Sequence, residues 1–203
     1  MAETGYSFLE SKKRTEMYIE FMTDALYEYA IRTKERTTAL FEAGREKYEE
    51  TLCSAIASAG VFLHSRISSG KKGKLRYIHF SYLLSGALSG EMLVKLDFYD
   101  ERYYRDVEET DCFWNCRELF PDYEKECRQM EEKMRRRILR VQSGELSQIK
   151  IGLTAWNYLL LKPVMAELVR SRRVEEQLRP FCEERAFLFY GAYLDESEVI
   201  HKM

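Results

Sequence analysis

Two short stretches of this chain carry side chains whose types and spacing could do chemistry together. The first is Lys74–Asp100, KLRYIHFSYLLSGALSGEMLVKLDFYD, which alternates apolar and polar residues on either side of a Ser/Gly-rich centre. Folded as a hairpin about Ser85–Gly90, it sets His79 opposite Asp97, Ser81 opposite Lys95, and Tyr77 opposite Tyr99. An imidazole oriented by a carboxylate is the arrangement a general base uses, and Ser81 lies two residues from His79 on the same face. Lys95 or a tyrosine could then stabilise developing negative charge. The same six residues, Tyr77, His79, Ser81, Lys95, Asp97 and Tyr99, equally make a polar and aromatic face for a protein partner or a small ligand, and that use needs no concave site.

The second stretch is Cys112-Phe-Trp-Asn-Cys116, with Asp111 before it and Cys127 after it. On a helix, cysteines at i and i+4 share a face, so two thiolates could converge on a metal or act in redox chemistry. Zinc sites want four ligands and often a C-x2-C spacing, neither of which is present. The alternative is that Cys112 and Cys116 are small apolar residues on a buried face. No cofactor is implied by any motif. Gly70-Lys71-Lys72-Gly73-Lys74 has the composition of a phosphate loop without its order, and reads as a flexible cationic turn. His64 reads as a helix-end residue, and His201 stands too near the end of the sequence to interpret.

These residues need elements to position them. The hairpin places Ile78, Phe80, Tyr82 and Leu84 on one face with Met92, Val94, Leu96 and Phe98, and that face is core. Residues 8–64 are rich in helix formers, lack proline and hold one glycine, Gly44. One helix over that span would be about 85 Å long, too long for a compact domain of this size. A break is therefore placed at Thr33–Thr38, with Gly44 as the alternative, giving an N-terminal helical pair that packs together. A short helix is expected over Cys112–Phe120. An amphipathic helix follows, with Tyr123, Cys127, Met130, Met134, Ile138 and Val141 on one face. Another runs from Ser143 to Lys162, a third starts at Pro163 and ends at Arg179-Pro180, and Ala186–Leu194 is a strand that could join the hairpin. If it does, Tyr77, Tyr82, Tyr99, Phe187, Phe189, Tyr190 and Tyr193 could line one cavity or one interface.

Composition narrows the classes. The chain has 203 residues with 3 Pro and no linker, so one domain, 1–203, is expected. A net charge of -2 argues against a surface built for nucleic acid. Arg135–Arg137 with Arg140, and Arg170, Arg172 and Arg173, are explained by helix C-termini and interspersed glutamates. No secretory signal, myristoylation glycine or prenylation box is present, and the longest apolar-rich run, Leu52–Leu63, is too short to span a bilayer, so no membrane role is expected. The 5 Cys lack paired spacing, which fits a reducing cytoplasm. The expected fold is α+β and predominantly helical: the N-terminal helical pair, the central hairpin joined by a C-terminal strand, and a helical C-terminal half packed on the sheet. The expected function is a non-enzymatic cytoplasmic binding module using the polar hairpin face, with a homodimer allowed by an unpaired sheet edge. The alternatives are a small-molecule enzyme built on the His79–Asp97 pair, or a thiol or metal site at Cys112 and Cys116.

Overall fold

The first helix is where expectation and structure part most clearly. The computed structural model describes residues 3–203, with side chains from residue 12 onward; position 2, where myristoylation would need glycine, lies outside the described residues. Helix α1 spans Glu3–Ser68, about 100 Å at 1.5 Å per residue. Thr33–Thr38 stays helical, with Thr37 buried beneath the Leu119 carbonyl. The non-helical angles fall at Gly44, the alternative position, with φ −119° and ψ 17°. The chain kinks there without reversing, so no packed helical pair forms.

The length is tolerated because the later chain lies along the helix. Helices α2 (Tyr123–Arg137), α3 (Ser143–Leu168) and α4 (Arg172–Leu178) complete the set. Going up α1, Arg14 pairs with Glu145, the Tyr29 hydroxyl donates to Asn157 at 2.7 Å, and Arg45 pairs with Glu167, so α3 runs parallel to it. Arg36 pairs with Asp122, and Arg32 with Glu126 at 3.0 Å, which sets α2 antiparallel. Pro163 does not start a new helix: it sits inside α3 on the solvent side, while Leu161, Val164, Met165 and Leu168 are buried around it. The break comes later, where the Ser171 hydroxyl accepts the Val174 N–H and caps α4.

Among the described residues, four helices are joined by one mixed sheet of five strands, β1 (Leu75–Tyr82), β2 (Leu93–Tyr99), β3 (Asp111–Asn115), β4 (Cys182–Ala192) and β5 (Ser197–Lys202). The spatial order is β3-β2-β1-β4-β5, with β1 and β4 parallel and the other neighbours antiparallel. Cys112–Phe120 is thus not a helix. Asp111–Asn115 alternates exposed and buried positions as an edge strand, followed by a 3-10 turn at Arg117–Leu119. The β1–β2 connection holds Gly90 at φ +76°, a left-handed conformation that favours glycine.

One face of the sheet is the core. Ile78, Phe80, Val94, Leu96, Phe98, Trp114 and Leu188 pack in one cluster with Leu52 and Ile56 of α1, Met130 and Met134 of α2, Leu153 and Leu161 of α3, and Val174 of α4. Each such large apolar side chain contributes about 1.5–3 kcal/mol on burial. Leu84 does not join the strand face, because it sits in a 3-10 turn, 40% exposed. The polar groups of this layer are matched: the Tyr158 hydroxyl bonds the Leu83 and Leu93 carbonyls at 3.3 and 3.1 Å, and the Tyr190 hydroxyl donates to Tyr158 O at 2.6 Å.

The Ser69–Lys74 segment corrects a second expectation. Gly70 closes α1 with φ +71°, but Lys72 is not part of a solvated cationic turn. Its ammonium is wholly buried against the Asp106 carboxylate and donates to the Glu108 carbonyl at 2.9 Å. Asp106 also accepts the N–H groups of Asp100 and Glu108, so one buried pair ties the β2–β3 connection to the start of β1. Removing one partner of such a pair leaves an uncompensated charge, which costs about 3–5 kcal/mol. Lys72→Met should therefore lower the urea-unfolding free energy by about that amount. Adding Asp106→Leu should recover most of the loss, and equal destabilisation in single and double variants would contradict the assigned pair.

Candidate functional site

Because side chains alternate along strands, the residues between the core positions point to the opposite face, and among the described residues no α-helix contributes to the ring contacts there. Three rows cross this outer face in register. Tyr99, Tyr77, Phe187 and Lys202 form the first; Asp111, Asp97, His79, Phe189 and Val199 the second; Phe113, Lys95, Ser81, Gly191 and Ser197 the third. All six residues singled out from the sequence, Tyr77, His79, Ser81, Lys95, Asp97 and Tyr99, stand on this surface, in the pairing their spacing implied.

Their chemistry is not the one that spacing suggested. Asp97 faces His79 across the strands, but its carboxylate binds Lys95 Nζ at 2.6 Å, and Lys95 reaches Asp111 at 3.2 Å. His79 Nε2 instead meets the Tyr103 hydroxyl at 2.9 Å, and its ring stacks on Phe189 at 4.5 Å with an interplanar angle of 14°. Burial pushes the imidazole down to about 4, so it is neutral near pH 7. Burial also pushes the Asp97 carboxyl upward against the pull of Lys95. For Lys95, desolvation opposes the charge, but the bonds to Asp97 and Asp111 outweigh it and raise its pKa. Burial likewise lifts the Tyr99 phenol to about 12.

Tyr103 and Tyr104 are the residues that sequence reasoning missed. They sit in the 3-10 turn Tyr103–Arg105, on the connection held down by Lys72 and Asp106. Tyr103 has φ +54°, a left-handed conformation that is costly for an aromatic residue. That conformation lays its ring against Tyr77 at 4.7 Å while its hydroxyl bonds His79. Tyr104 Oη follows at 3.2 Å from Tyr103 Oη, and Tyr104 is exposed. The acidic, tyrosine-rich run DERYYRD was visible in the sequence, but its left-handed residue was not. Of the aromatic set expected to share one cavity, Tyr77, Tyr99, Phe187 and Phe189 lie on this face. Tyr82 and Tyr190 point the other way, onto Tyr158.

Compared with known protein families, curated proteins and solved structures, the chain matches none. The reading of this face accordingly rests on its geometry.

The cysteines and the clefts bear on the alternatives. Cys112 points inward from β3, and Cys116 is fully buried with its thiol donating to Met92 O at 3.3 Å. Burial pushes both thiols up to about 12, the opposite of a reactive thiolate. Among the described residues, no group of three or more His, Cys, Asp or Glu is placed to hold a metal ion. A cleft of about 530 Å³ lies between α3 and the β4–β5 end, lined by Tyr82, Lys162, Asp195 and Glu198 among others, and one of about 140 Å³ lies between α1 and the start of α2. Neither is lined by His79 or Asp97.

The state of His79 has a measurable consequence. Above its unfolded pKa of about 6.5, the ring is neutral in both states and contributes nothing to pH dependence. Below it the unfolded chain takes up a proton that the folded chain refuses, so the His79 contribution to stability should fall as pH drops from 6.5 towards 4 and level off beneath. A histidine NMR titration should give His79 a midpoint near 4; a midpoint near 6.5 would mean that Tyr103 and Phe189 do not close over it.

Proposed function

We propose that this chain is a non-enzymatic binding module whose outer sheet face docks a partner. The observation that carries the reading is the composition of that face. Among the described residues no α-helix covers it, yet it presents a connected group of rings, Tyr77, Tyr99, Tyr103, Tyr104, Phe187, Phe189 and His79, bordered by exposed Phe113 and Val199. An antiparallel sheet left open to water normally carries polar residues on its wet side. Contiguous apolar and aromatic surface rimmed by charge, as here with Asp111, Lys95 and Lys202, is the pattern of an interaction surface. Its rings touch one another and leave little depth between them, which favours a macromolecular partner over a small ligand. The helix-on-one-side arrangement, a hairpin extended by the C-terminal strand and backed by helices, is the frame for this use. Five unpaired cysteines, four of them buried, suit a reducing cytoplasm.

The enzymatic reading is the weaker one. General-base catalysis through His79 needs a basic ring with an orienting carboxylate and room for substrate. Here the ring stacks on Phe189, Asp97 belongs to Lys95, and a pKa near 4 makes a poor acceptor of protons at neutral pH.

A photo-reactive phenylalanine analogue at Phe113 tests the proposal, with the same label at Tyr27, an exposed residue of α1, as control. Irradiation of the full chain in its native extract should give discrete adducts from position 113 and none at 27. Adding Tyr104→Ala should weaken those adducts while moving stability by no more than about 0.5 kcal/mol. Equal labelling at both positions, or none at either, would remove the proposal.

A further inference from the structure

The outer face is lopsided, and its two sides complement each other. On β3, one lateral strand, stand Asp111 with a side chain 43% exposed and Phe113 at 49%. On β5, the opposite lateral strand, stand Val199 at 45% and Lys202, which is exposed. Lys202 has no acidic partner among the described residues; its ammonium lies 5.6 Å over the Phe187 ring. Asp111 shares Lys95 with Asp97, so two carboxylates there face one cation and the β2–β3 side keeps an excess negative charge. Glu109 adds to it, since its charge already acts on Asp97. One side of the face is thus acidic and apolar, the other cationic and apolar, with the rings between.

We infer that the partner of this face is a second copy of the chain, docked face to face about a twofold axis running along β1. This rests on the outer face being a docking surface at all. Rotation about such an axis lays β3 of one copy over β5 of the other and, by symmetry, repeats the contact. Row by row, Asp111 then lies over Val199 and Phe113 over Ser197, and Lys202 lies over Glu109, which continues the β2–β3 register opposite Tyr99 just before β3, each contact occurring twice, while the aromatic rows around Tyr77 and Phe187 stack across the middle. An axis perpendicular to the strands through the His79 row would instead set Asp111 against Asp111. Five strands about 4.8 Å apart and three side-chain rows give a face of roughly 500 Å² before the relief of Tyr103, Tyr104 and Tyr193 is added. A standard interface takes about 800 Å² from each partner, so this dimer belongs at the small end and is concentration-dependent.

Sedimentation of the full chain over a concentration series reads the proposal directly. The wild type should pass from monomer to dimer and stop there. Lys202→Glu and Glu109→Lys should each weaken the dimer by about tenfold or more, because each sets like charges together twice, and the pair combined should restore it. Phe113→Glu should also yield monomer, with circular dichroism confirming that each variant is folded. A wild type that stays monomeric overturns the dimer. So does a dimer that ignores all these changes, or growth beyond dimer, which would mean edge-to-edge pairing of β3 with β5. If the wild type is monomeric but position 113 still gives discrete photo-adducts with another molecule, the second copy is excluded while the binding face stands. A monomer without adducts excludes both.

Discussion

A helix about 100 Å long satisfies its own backbone but cannot bury its apolar stripe alone, and in this chain that constraint organises nearly everything else. The large buried positions of α1, from Phe21 and Tyr29 through Phe41, Tyr48 and Leu52 to Ile56, Ala59 and Leu63, fall at spacings of three, four or sums of these, so the stripe winds slowly around the rod. Different partners meet it at different heights. Arg14 and Tyr29 meet α3, Arg32 and Arg36 meet the start of α2, and Thr51 accepts the Trp114 indole N–H of β3 at 3.0 Å. Near its end Arg66 bonds the Thr110 hydroxyl at 2.7 Å. The sheet is thereby held with one face against α3 and α1, and among the described residues no α-helix covers the other.

That leaves the outer face to settle its own solvation, and it does so with a strap. The connection from β2 to β3 could have been a mobile loop. Instead Asp100 takes Arg102 in a bond pattern of 2.6–3.1 Å and accepts the Gly73 N–H at 3.0 Å, while Asp106 holds buried Lys72. The Asp100 carboxyl is partly desolvated, but these donors outweigh that and hold it down to about 2. Burying a charge pair costs several kcal/mol per ion before Coulomb attraction returns it, so such a pair is a weak source of stability and a good source of geometry. The geometry here is the placement of Tyr103 at φ +54° over Tyr77 and His79. Strain at one residue is tolerable where four polar side chains fix the residues around it.

The hairpin was legible in the sequence because period-two alternation and a Ser/Gly turn determine register together, and a slip by one residue would have turned Ile78 and Phe80 to water. What lay outside local pattern was lost. Helix length was misjudged because a compactness argument treats a helix as isolated, whereas Thr33–Thr38 stays helical through packing from residues eighty or more positions away. Cys112–Trp114 has no polar residue to mark its period, so strand and helix look alike until the Trp114 and Cys112 side is seen buried. β5, SEVIHK, is only half alternating because of a bulge between its pairings with Leu188 and Phe189. Lys72 was hidden in a run of lysines, where nothing local separates the buried one from its solvated neighbours.

The six face residues show how far register alone goes toward function. Register placed His79 opposite Asp97 correctly, yet facing residues bond only if no better partner is in reach, and each had one. Lys95, two residues from Asp97 on the same side of β2, offers a charge-assisted bond that a neutral imidazole cannot match. His79, left with Tyr103 and Phe189, keeps its neutral form, and a neutral ring stacked on phenylalanine behaves as one more flat aromatic side chain. The group that looked most like a catalyst in the sequence is thus converted by its surroundings into part of an aromatic cluster on the outer sheet face. The residues that do this are a lysine on its own hairpin and a tyrosine and a phenylalanine from two later segments.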